Sequence, residues 1–162
     1  MEDVFHVGEM MWQRGIDELT ALGIDKEMWV MGWSRRIASG DAVAIVVEHL
    51  SYRVGEFRYV GLEPETVAIL GCDWEEAGIC STAFQASFHF EGDGVGRAVT
   101  RAIRKHIPAL MKKHGIYLAQ IISLCVDPKA PKWFRLLGFE EDKDFRGMRF
   151  GKYRSRRFLR RA

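Results

Sequence analysis

Cysteine, proline and long apolar runs are scarce in this chain, and each scarcity excludes something. The three cysteines, Cys72, Cys80 and Cys125, are an odd number without the paired spacings of a zinc site, so buried free thiols are their expected role. The four prolines are scattered, and no repeat, low-complexity tract or Pro/Ser-rich linker interrupts the 162 residues, so one domain over 1–162 is expected. No window approaches the roughly 18 apolar residues of a membrane span. Met1-Glu2-Asp3-Val4 carries no basic stretch ahead of an apolar run, so the expectation is a cytoplasmic protein with no membrane partner. With 48% hydrophobic and 28% charged residues the chain can bury a core, which excludes a disordered or collagen-like polymer.

Net charge is also small, +2, but it conceals an asymmetry. Arg146, Arg149, Lys152, Arg154, Arg156, Arg157, Arg160 and Arg161 fall in the last seventeen residues, which contain no Asp or Glu. Without those eight, 16 basic side chains face 22 acidic ones. The result is an acidic body with a basic end. Met148, Phe150, Tyr153 and Phe158 interleave with the charges. That pattern suits the last strands of a sheet with a solvated basic face, a nucleic-acid surface, or recognition of an acidic protein or of a second copy as a homodimer.

Periodicity places the elements. Residues 8–22 set Met11, Trp12, Ile16, Leu19 and Leu22 at helical spacing, with Gly23 as a stop; Asp25 caps a second helix from Lys26 to Ile37, ended by Ser39-Gly40. Ala42 to Val47 and Thr66 to Leu70 read as strands, and Phe57 to Val60 as a strand or an ordered loop. Thr82 to Phe90 alternates, with Phe84, Ala86, Phe88 and Phe90 on one face. A helical stripe of Val99, Ile103, Ile107, Leu110 and Met111 follows, which Pro108 should kink or interrupt. Ile116 to Val126 reads as a buried central strand, and Asp127 caps a short helix ending at Gly138. Trp12, Trp29 and Trp33 read as core.

Between the alternating strand and the long helix stands Glu91-Gly92-Asp93-Gly94-Val95-Gly96-Arg97. Glycines let a backbone approach closely, the first helical turn offers unpaired amides, and the helix dipole favours an anion there. Arg97 and Arg101 add charge-assisted donors for a phosphate. A plain strand-to-helix connection is the other reading.

This segment resembles the pyrophosphate loop of the GNAT family of acyl-CoA-dependent N-acyltransferases, where Arg or Gln, two residues, Gly, one residue, and Gly or Ala open a long helix. Glu91, Gly94 and Gly96 stand in that frame. The family's second element is similar to Asp127 to Phe139, with Asp127 at an Asn position, Ala130 three residues on, then Trp133-Phe134 and Gly138-Phe139. The resemblance covers about residues 66–160. It implies an α/β GNAT fold: a central mixed, mainly antiparallel sheet of six or seven strands with about four helices, in which Thr82–Phe90 and Ile116–Val126 diverge around pantetheine. Acetyl-CoA is the implied co-substrate, held by Phe88, Phe90, Glu91, Gly92, Asp93, Gly94, Val95, Gly96, Arg97, Arg101 and Phe134.

For catalysis the resemblance asks for a base and for an acid that protonates the leaving thiolate. Phe134 occupies the place of the family's frequent tyrosine and has no proton to give. The substitutes are His89 as base, Ser123 or Cys125 as acid, and a water-relayed base from Glu75 or Glu76; the first two helices flank the acceptor side in that family, which implies Trp29, Trp33 or Glu48 as substrate contacts. The expectation is transfer of acetyl to a primary amine of a small molecule or protein. The alternative is a non-catalytic binding or virion-associated protein, since the degenerate loop and the Arg- and Phe-rich end are similar to small GNAT-like proteins of phages and prophages; the setting would then be a bacterial or infected-host cytosol.

Overall fold

Asp25 starts its helix as the sequence predicts: its carboxylate accepts the Met28 N–H at 2.8 Å, and Gly40, at φ 80°, ends the helix with its N–H on the Ile37 carbonyl. The computed structural model describes residues 2–11, 13–47, 51–54, 57–60, 64–91 and 94–162, with backbone alone for 51–54, 57–60 and 91. Trp12, Glu48, Gly92 and Asp93 therefore lie outside the described residues. The helices are α1 (Glu2–Glu9), α2 (Gln13–Leu22), α3 (Lys26–Ser39), α4 (Val95–Lys113) and α5 (Ala130–Leu136). The strands are β1 (Ala42–Val47), β2 (Ser51–Val54), β3 (Phe57–Val60), β4 (Glu65–Glu76), β5 (Ile79–Ala86), β6 (Leu118–Ser123), β7 (Glu140–Glu141), β8 (Arg149–Phe150), β9 (Tyr153–Arg154) and β10 (Arg156–Arg161).

Six strands form one mixed sheet in the order β1-β4-β5-β6-β10-β7. All its ladders are antiparallel except β5 with β6, the central pair. Successive residues of β4 show how the sheet divides the core, because neighbours along a strand point to opposite faces. Ala68 packs with Val99, Ile103, Met111, Phe134 and Phe158 under α4 and α5. Ile69 packs with Val4, Val7, Trp29 and Trp33 under α1 and α3. Gly71 lets α3 lie down on β4, since a Cβ there would stand 2.8 Å from the Trp33 ring. No described helix is long and apolar enough to cross a membrane.

Four expectations change. The helix expected over 8–22 is two helices, because the chain leaves α1 so that Met11 can bridge to Ser87 and the Met10 carbonyl can accept the Phe88 N–H at 2.7 Å. The strand expected to run to Phe90 stops at Ala86, and Phe88–Glu91 is a 3-10 turn. Pro108 does not interrupt α4, which continues through it to Lys113; a solvent-facing proline removes one backbone bond, and the stripe of Val99, Ile103 and Met111 still buries. The strand expected over 116–126 shrinks to β6, with Cys125 just beyond it in the left-handed region at φ 49°.

Part of the basic end is committed to the fold. β10 lies between β6 and β7, Arg156 pairs with Glu141 at 2.5 Å and Arg157 with Asp142 at 2.6 Å, and Arg160 donates to the Leu137 carbonyl.

Candidate functional site

The central parallel pair comes apart. β5 and β6 are in register at Ile79 with Leu118, Cys80 with Ala119 and Ser81 with Gln120, and there the ladder ends. Thr82 Oγ1 donates to the Gln120 carbonyl at 3.1 Å, one last side-chain link before the strands separate. Beyond it β5 runs toward the start of α4 and β6 toward α5. The opening is part of a cavity of about 960 Å³ whose walls include Trp29 and Trp33 from one face of the sheet and Ile103 and Met111 from the other. Its walls thus draw on side chains from both cores. Met28, Ile122 and Leu136, which line it, are 57, 50 and 51% exposed, the apolar lining expected of a ligand site.

At the β5 end, Gly94 adopts φ 86° and caps α4 without a side chain, so its first-turn amides face outward without a side-chain partner. Gly96 fits because a Cβ would lie 2.6 Å from the Phe90 carbonyl oxygen. Arg97 and Arg101, one turn apart, are both exposed. Aromatic rings back this turn: Phe84 meets Trp133 at 4.7 Å and Phe90 at 5.3 Å between centroids. Trp133 Nε1 donates to Thr100 Oγ1 at 2.8 Å, and that hydroxyl donates to the Gly96 carbonyl at 2.6 Å. α5 is thereby fastened to the first turns of α4.

At the β6 end, polar groups gather. Ser123 Oγ donates to a Glu18 oxygen at 2.8 Å and accepts the Cys125 N–H at 3.0 Å; the same Glu18 oxygen accepts the Leu124 N–H at 2.9 Å. Arg14, one helical turn before Glu18, pairs with Asp127 at 2.7 Å. These two contacts tie α2 to the segment after β6. Burial pushes the Cys125 thiol up, with the Ser123 hydrogen bond pulling the other way, so the thiol stays protonated at neutral pH.

The residues expected in the site divide accordingly. Phe90, Ser123 and Phe134 line the cavity, as do Trp29 and Trp33. Phe134 is buried with its ring 4.9 Å from Phe158. Gly94, Val95, Gly96, Arg97 and Arg101 form the start of α4 beside it, Val95 being core. Glu91 ends the 3-10 turn, and Phe88 is 46% exposed with its ring against His89. His89 is not brought to the split: it is buried with Nε2 3.2 Å from Glu65, on the side of α1, and burial holds its imidazole below the usual value. Glu76 is not brought there either. It sits exposed at the β4–β5 hairpin, at the paired end of the two strands, about 16 Å in strand length from Ser123. Its neighbour Glu75 accepts the Ser81 hydroxyl at 2.6 Å. Glu18 and Arg14 escape sequence reasoning because on an amphipathic helix they read as the solvated face; only the fold sets them against Ser123 and Asp127.

No protein-family model and no curated protein matches the sequence. Solved structures do. The microcin C7 self-immunity acetyltransferase MccE, in complex with acetyl-CoA and AMP, superposes with TM-score 0.62 at 11% identity over 99% of this chain and 88% of its own. A GNAT-family acetyltransferase from Bacillus anthracis gives 0.62 at 9% identity over 98 and 87%, and an acetyltransferase from Thermus thermophilus gives 0.58 at 16% over 99 and 92%. The six-stranded mixed sheet, its split parallel pair and the glycine-capped helix that follows are the fold of the GNAT acetyltransferases.

Proposed function

We propose that the protein is an acetyl-CoA-dependent N-acetyltransferase that passes acetyl to a primary amine by direct attack. The parting of β5 and β6 at Ser81 and Gln120, ahead of a helix capped by Gly94, carries this reading. MccE, of the same fold, was solved with acetyl-CoA. The residues fit such a co-substrate. First-turn amides of α4 and the Arg97 and Arg101 guanidinium groups receive the pyrophosphate. The edge of β5 beyond Ser81 offers backbone hydrogen bonds to pantetheine, and Phe84, Phe90 and Trp133 pack beside it. Bound acetyl-CoA supplies a thioester that an amine can attack. Ser123, whose hydroxyl is held between Glu18 and the Cys125 amide, gives a proton to the leaving sulfur.

Phe134 favours a second reading, a binding protein without turnover, since the ring in that place has no proton. A phage or prophage setting has no counterpart among the structures named above. Titration calorimetry with acetyl-CoA tests the first reading: saturable heat and a thermal upshift are expected, and no heat at millimolar ligand overturns it. Given binding, thiol release over an amine panel separates enzyme from binding protein.

A further inference from the structure

Three carboxylates line the described walls of the cavity: Glu18, Asp41 and Asp127. Asp127 spends one oxygen on Arg14 and the other on the Lys129 N–H. Asp41 spends one on Ser39 and the other on the Trp74 indole. Glu18 differs. Its two contacts, from Ser123 and Leu124, fall on the same oxygen, so Oε2 takes no hydrogen bond among the described residues. Of the cations on those walls, Arg14 is matched by Asp127 and Arg36 by Asp73, both at 2.7 Å or less, while Lys129 and Lys132 stand exposed around the start of α5. An ammonium group entering between α2 and α3 meets one open negative oxygen, and the cavity-lining guanidinium groups of those two helices are already paired.

The walls beside that oxygen are apolar. Leu22 lies one turn beyond Glu18 on α2, and α3 contributes Met28, Trp29 and Trp33. Between these α3 side chains Gly32 leaves a gap, for a Cβ there would have only Arg36 Nη1 within 4 Å, at 3.8 Å.

We propose that Glu18 is the catalytic base, and that the acceptor is a monoamine on an apolar or aromatic body lodged between α2 and α3. This rests on the acetyltransferase reading above. The amine enters as an ammonium ion and loses one proton to Glu18 Oε2, from which it passes to water. The nitrogen lone pair then forms the C–N bond and the C–S bond breaks with its electron pair on sulfur. The second nitrogen proton goes to Glu18 and on to Ser123, while Ser123 gives its hydroxyl proton to the thiolate. Amide, thiol and one released proton balance the step. A polyamine would bring further charges for which the described walls hold no open partner.

The experiment measures CoA release with phenethylamine, tryptamine and hexylamine against spermidine, glucosamine and a lysine peptide, on the wild type and on Glu18→Gln, Gly32→Phe and the control Asp17→Asn. Glutamine keeps the acceptor for Ser123 and Leu124, so Glu18→Gln tests the charge without removing those bonds. The apolar monoamines are expected to exceed the others at least about tenfold in kcat/KM, and Glu18→Gln to lower kcat about 100-fold or more. Gly32→Phe should raise KM for tryptamine most, Asp17→Asn should change nothing, and acetyl-CoA affinity should hold in all three variants. Full activity of Glu18→Gln, a preference for spermidine or glucosamine, or acetyl-CoA binding without turnover of any apolar monoamine each overturns the proposal and leaves acetyl-CoA binding intact. Absence of acetyl-CoA binding overturns the reading beneath it.

Discussion

Gly96 stands directly beneath the carbonyl of Phe90: a Cβ built on it would lie 2.6 Å from that oxygen and 3.2 Å from the Phe90 ring. The contact is to backbone, which cannot swing aside, so this glycine serves close approach rather than a positive φ. Where the 3-10 turn meets α4, packing therefore specifies the residue.

Gly96→Ala should destabilise the protein by about 1–3 kcal/mol through that clash, partly offset by about 1 kcal/mol of helix propensity. Urea unfolding measures it. An unchanged midpoint would mean that the turn yields freely.

Thr100 holds Trp133 on one side and the Gly96 carbonyl on the other. Thr100→Val keeps the shape and removes both bonds, leaving the half-buried indole N–H without its acceptor, at a cost of about 1–3 kcal/mol. Thr100→Ser should recover most of it. Equal unfolding midpoints for the two variants would sink the argument.

Arg97 and Arg101 are exposed, and among the described residues neither is tied to another element. Replacing both by Glu should raise the dissociation constant of acetyl-CoA at least about tenfold and flatten its salt dependence, with the melting temperature unchanged. Unaltered affinity would remove the start of α4 as the anion site.

His89 supplies a pH dependence. Burial lowers its value from 6.5, the nearby His6 adds to the lowering, and Glu65 opposes it. The unfolded chain thus binds the proton at a higher pH than the folded one does, so this contribution is whole above about pH 6.5 and fades as pH falls toward the lowered value. Glu141 and Asp142, held low chiefly by hydrogen bonds from Arg156 and Arg157, lose theirs only further down, below the ordinary carboxylate range. Unfolding free energy followed from pH 7 downward should show the earlier decline in the wild type and lose it in His89→Gln. The same decline in both would assign it elsewhere.

Local chemistry made much of this legible in the sequence. Asp25 and Gly40 bound α3 because caps are decided within four residues. The Gly94, Gly96 and Arg97 spacing marks the start of α4, and the Val99, Ile103, Met111 stripe its buried face, for the same reason. Where a distant partner competes, local reading fails: Met10 and Met11 leave the helical pattern for Ser87 and Phe88, and β5 ends early to make the turn beneath which Gly96 fits.

Catalytic assignment is the extreme of that dependence. From the chain alone, His89 and Glu76 are as eligible as any acid or base, because residue type sets what a side chain can do. Which groups meet is set by strand register. The ladder that stops at Ser81 and Gln120 opens the cavity, and with it leaves Glu76 at the closed end, buries His89 against Glu65 and brings Glu18, 105 residues distant in sequence, to Ser123. The sequence by itself determined most of the elements, the caps of α3 and the glycine-opened start of α4. The tertiary structure alone decided which carboxylate reaches the split, since an amphipathic helix exposes Glu18 to solvent or to a cavity with the same local pattern.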